Sequence, residues 1–157
     1  MDATEPNTPP CITSPDDFTL FQSTCERVIS LLNLRDYAVY YRHGYPDGDT
    51  SDWTDSLALC CYNIIDMTAT IFLCPDWGKV MPSAVAIRTT AAHEVLELLL
   101  ARISMMAKDR DAHERDVIQA THQVIRRLEY LLSSSGLLEE NTCQSGQKTT
   151  RMLCGEP

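Results

Sequence analysis

Between Ser14 and Leu132 the chain changes its local character twice, from helical spacing to β-formers and back, and this order of segments restricts its folds more than any bulk property does. Ser14, Pro15, Asp16 and Asp17 have the form of an N-cap, a proline in the first helical position and acids in the first turn. Phe18, Phe21, Cys25, Val28, Ile29, Leu31 and Leu32 then recur at intervals of three and four, which one buried helical stripe requires, so a helix is predicted to end near Asn33. Tyr37 to His43 (YAVYYRH) is aromatic and β-branched enough for a strand, and the GYPDGDTSDWTD that follows is dense in turn formers. Leu57 to Ile65 and Met67 to Cys74 read as two more strands joined through Asp66. After the break at Pro75, Asp76, Trp77 and Gly78, Ser83 is placed to cap a helix to about Met106, and Asp109 or Asp111 to cap another to about Leu132.

The fold class expected is α+β: an N-terminal helix, a small three-stranded antiparallel sheet, then a two-helix antiparallel hairpin, all in one domain over 14–132. Residues 1–13 read as a loose arm and 133–157 as a largely disordered tail, with Leu137, Leu138, Met152 and Leu153 able to dock part of it. A chain of 157 residues that is 44% hydrophobic can bury a core without disulfides or a partner. Thirteen basic against 22 acidic residues give a formal charge of -9, which repels nucleic-acid phosphates and argues against direct nucleic-acid binding. The same charge suits solubility, or a protein that occupies a basic surface of another. The seven cysteines are odd in number and contain no CxxC pair, so neither a zinc ribbon nor a disulfide framework is expected. No secretory signal or membrane-length apolar run is visible, which points to the cytoplasm.

The chemistry-bearing motif is AAHEVLELLLARI, where His93, Glu94 and Glu97 spell HExxE in place of the HExxH of zinc peptidases. Two ligands at i and i+4 share one helix face, so His93 and Glu97 keep the spacing that zinc coordination uses while one ligand type is exchanged. Glu94, beside the first ligand, is then the general base expected to take a proton from a bound water. A hairpin turn centred near Lys108 and Asp109 would put His93 level with Val124 and Glu97 level with Ala120, by equal rise on both helices. His122 falls between them, at the margin of an apolar stripe made by Ile118, Thr121, Ile125, Leu128 and Leu132, and completes the candidate metal set His93, Glu97 and His122. The same spacing equally fits a histidine hydrogen-bonded to its i+4 glutamate with no metal.

That phrase, with THQVIRRLEYLL about thirty residues later, resembles the small phage-encoded zincin-like proteins over about Tyr37 to Leu132. In that family an HExxH helix follows an antiparallel sheet, and a second helix carries an acidic residue just before a segment like HQVIRRLE. The resemblance implies a minimal zincin-like fold, His93 as the first ligand and Glu94 as the catalytic glutamate. Glu97 stands where the second histidine is expected, and Thr121 where the acidic third ligand is expected. It further implies zinc as cofactor, a peptide or protein as substrate, and host cytoplasm as location. With HExxE in place of HExxH, the readings left open are a metallopeptidase-like enzyme, a pseudoenzyme, and a non-enzymatic acidic inhibitor that occupies a basic host surface. A helical hairpin that mediates self-association, as in a homodimer, is a further reading.

The remaining candidates have ordinary explanations beside functional ones. The acids from Asp47 to Asp55 suggest calcium by composition, but Asp52 and Ala58 stand where an EF-hand needs Gly and Glu. His43, His113 and Glu114 are placed to approach a site from its rim, and Glu114 also suits a helix start. Cys60 and Cys61 face opposite sides of a strand, with at least one a small core residue. Tyr45, Trp53 and Trp77 lie in loops and form a candidate partner-contact patch.

Overall fold

A computed structural model of the chain describes residues 11–46 and 56–135. Helix α1, Pro15–Leu31, begins with a capping box: Ser14 Oγ accepts from the Asp17 amide at 3.2 Å and Asp17 Oδ2 accepts from the Ser14 amide at 2.9 Å. It stops because Asn33 turns left-handed (φ 51), which lets the Leu34 amide reach the Ile29 carbonyl at 3.0 Å and seals Leu34 in the core.

Strands β1 (Ala38–His43), β2 (Ala58–Asn63) and β3 (Thr68–Leu73) form one sheet in the order β1-β3-β2. The expected antiparallel sheet is corrected to a mixed one: β2 runs antiparallel to β3, but β1 runs parallel to it, with Ala38 opposite Thr68 and His43 opposite Leu73. The β2–β3 turn is fixed locally, since Asn63 Oδ1 accepts from the Ile65 and Asp66 amides at 2.9 and 3.2 Å. Strand β3 buries Ala69, Ile71, Phe72 and Leu73 and therefore takes the centre. Residues 44–57 separate β1 from β2, so no tight turn forces those two strands to pair.

Residues Cys11 to Thr13 are tied across the same end of the sheet. The Cys11 amide donates to Gly78 O and the Trp77 amide to Cys11 O, both at 2.8 Å. Thr13 Oγ1 lies 3.1 Å from Cys74 O, 3.3 Å from Pro75 O and 2.8 Å from His43 Nε2, and His43 stacks on Phe18 with ring centroids 5.4 Å apart. A hydroxyl has one proton, and two carbonyls face it, so His43 donates from Nε2 and Thr13 serves as a clasp rather than a nucleophile. Residues 1–10 and 136–157, the acidic run of 47–55 considered for calcium, and Trp53 lie outside the described residues.

Helix α2, Ala84–Lys108, starts at Ser83, whose Oγ accepts from the Ala86 amide at 3.2 Å. Helix α3, Glu114–Ser134, starts later than expected. Asp109 is the C-cap of α2, and its carboxylate is taken by the Asp111 amide at 2.9 Å, so neither aspartate caps α3. The core joins Phe21, Cys25, Leu34, Ile71, Leu73, Trp77, Ile87 and Val95 between α1, the sheet and α2. Helix α3 meets that core through Val124 and Leu131 and buries Ala120, whereas Ile118, Ile125, Leu128 and Leu132, expected to make its buried stripe, are open to solvent. Among the described residues no helix is long and apolar enough to cross a membrane.

Candidate functional site

The first half of α2 runs beside β2, an edge strand of the sheet, and the two enclose an open cleft of about 440 Å³. Its strand wall is Ser56, Leu57, Ala58 and Leu59, and its helix wall is Thr89, Thr90, His93, Glu94 and Glu97. The helical period explains the second wall, because each of 90, 93, 94 and 97 lies three or four residues from two of the others and they share one face. The structure thus brings together all three residues of HExxE but not the fourth candidate, His122. Thr89, Thr90 and the start of β2 carry no motif, and only tertiary packing places them here.

His93 Nε2 stands 3.3 Å from Glu97 Oε1, with both side chains at least half exposed. A pair so exposed is screened by water and holds little stability. Glu94 is the opposite case: it is 4% exposed, and its carboxyl is pushed up to about 7, first by burial and second by the Glu97 carboxylate. Near neutral pH it is therefore divided between its acid and carboxylate forms, the condition in which a side chain both accepts and returns a proton. The nearby thiols are not rivals as nucleophiles. Burial pushes Cys25 and Cys60 up to about 12 and Cys74 to about 11, so all three are protonated at neutral pH.

His122 stands apart from this cleft. Arg102 Nη1 donates to Gln123 Oε1 at 3.1 Å, and equal rise from that pair sets His122 level with Ile103 and His93 level with Leu132. The hairpin is centred several residues later than the sequence indicated, because residues 109–113 are a connector rather than helix. His122 also lies two positions from both Ala120 and Val124, which face inward, so the helical period turns it to solvent. Thr121, at the acidic ligand's position in the zincin-like pattern, donates its hydroxyl to Val117 O at 2.9 Å.

These residues do not fit a three-ligand zinc centre. The 3.3 Å separation of His93 and Glu97 suits two donors on one tetrahedral ion and equally suits their direct ion pair. Among the described residues, no three His, Cys, Asp or Glu side chains group so as to hold a metal.

A larger hollow, about 750 Å³, lies between α2, α3 and the turn before β1. Its Arg127 is engaged internally, donating to Asn33 O and to Asp36 Oδ2 at 2.7 Å in the latter case. Tyr45 is half-buried near the sheet end, while Trp77 is 2% exposed and its indole donates to Leu57 O at 3.0 Å, which leaves it no face for a partner. His113 and Glu114 are exposed at the start of α3, away from the cleft walls. Comparison with family models, with curated proteins and with solved structures gave no match.

Proposed function

We propose that the chain is a zincin-related protein whose cleft between β2 and α2 holds an extended peptide, and that it works as a binding protein rather than as a zinc peptidase. The supporting observation is the buried Glu94 in an open cleft, beside a His93–Glu97 pair that no third donor joins among the described residues. Among the described residues β2 is an edge strand with no neighbour on its outer side, and such a strand offers unpaired amides and carbonyls to which an extended chain adds as another strand. The threonines at the helix wall and the acid form of Glu94 supply hydrogen-bond donors to peptide carbonyls, while its carboxylate form accepts from amides. The charge of -9 favours basic segments among such peptides.

The test is an amide NMR titration with reduced, carboxymethylated casein peptides and with a lysine-rich decapeptide. Shifts should concentrate at Ser56 to Leu59, Thr89, Thr90 and His93, and disappear in Thr90→Trp, which fills the cleft. Shifts that map elsewhere, or that survive Thr90→Trp, would remove the cleft reading. Steady casein hydrolysis abolished by Glu94→Gln would replace binding by catalysis.

A further inference from the structure

Helix α3 carries two apolar faces, and the core uses only one. Ala120, Val124 and Leu131 face inward, whereas Ile118, Ile125, Leu128 and Leu132 are 49%, 42%, 40% and 40% exposed. With Thr121, the open positions follow one another at intervals of three, four, three and four, the repeat of a seam between two packed helices. Thr121 is no obstacle there, since its hydroxyl is already bonded to Val117 O and its methyl is left to pack.

We propose that this stripe is a homodimer seam, in which α3 packs antiparallel against α3 of a second copy about a two-fold axis. The charges beside the stripe select that occupant and that direction. Setting Ile118 level with the partner's Leu128 also sets Thr121 level with the partner's Ile125, so apolar side chains meet along the seam. In this alignment Arg115 and the partner's Glu129 differ in height by two residues, about 3 Å, within reach of an ion pair. Both side chains are exposed and neither is ion-paired with another described residue. The two-fold axis makes the contact twice, as a self-complementary interface requires. A parallel arrangement would leave Arg115 and the partner's Glu129 fourteen residues apart in height, about 21 Å, so this ion pair could not form. Leu96 and Leu100 of α2, 44% and 43% exposed, lie at the heights of Glu129 and Ile125 and widen the apolar surface.

Sedimentation equilibrium of the full chain from micromolar to millimolar concentration tests this. The expected mass approaches two chains as concentration rises. Ile125→Glu should return it to one chain with the helical circular dichroism retained. Should that variant lose its fold, the charge reversals decide. Arg115→Glu or Glu129→Arg alone should weaken association on the order of tenfold, and the two together should restore it. A single-chain mass at every concentration, a dimer indifferent to Ile125→Glu, or a double reversal that fails to restore association would each overturn the seam.

Discussion

Replacing Glu94 by Gln removes a buried charge while keeping the shape of the side chain, and its effect on stability follows from the titration of that carboxyl. In the unfolded chain the group titrates near 4.5, and in the folded chain at about 7. Below both values each state holds the proton and the group has no effect on the balance. Between them the unfolded state releases its proton first, so stability falls as pH rises, and above about 7 the loss is complete. At about 1.4 kcal/mol for each pH unit between the two titrations, the ionised carboxylate withdraws about 3 kcal/mol. That is a large share of a typical domain's 5 to 15 kcal/mol, roughly. Glutamine does not titrate, so Glu94→Gln should remove this fall while every other titrating group stays common to both proteins. Urea unfolding at pH 4, 5, 6, 7 and 8 measures it: the wild type should lose about 3 kcal/mol more than Glu94→Gln across this range. Parallel stability curves would refute the burial of an ionisable Glu94 and, with it, the two protonation states proposed for it in the cleft.

Two further outcomes follow. Zinc added to the purified chain should shift the resonances of His93 and Glu97 and be stripped by gel filtration, because two exposed donors hold it weakly; one equivalent retained through the column and lost in His93→Ala would restore the metal centre. Trp77→Phe should cost about 1 to 3 kcal/mol by chemical denaturation, since it removes the indole's hydrogen bond to the Leu57 carbonyl, which keeps only the Cys74 amide, and leaves a small void; a neutral result would contradict the burial of the indole.

Features that depend on neighbours in sequence are legible in the sequence itself. The Ser14 and Ser83 caps, the stop at Asn33 and the join through Asp66 each use groups within a few residues of one another, and all appear within a residue or two of their expected positions, although β2 ends at Asn63 rather than Ile65. The shared face of His93 and Glu97 was legible for the same reason, because i and i+4 meet on any α-helix. The third donor was not. Bringing His122 to His93 depended on a turn centre set by five non-helical residues, and a shift of a few positions along α3 carries a side chain both several ångströms along the axis and around it.

The sequence by itself determined the α+β order of elements, their approximate limits and the HExxE face, since backbone propensity, capping and helical period act over one or two turns of chain. Only the tertiary structure decided that β1 lies parallel to β3, that the cleft draws one wall from the start of β2, and that α3 buries Ala120, Val124 and Leu131 while leaving Ile118, Ile125 and Leu128 open. The physical reason is common to all three. Strand order, the depth of a carboxylate and the choice between two apolar faces of one helix are settled by competition among distant surfaces for the same buried area, and that competition has no local signature.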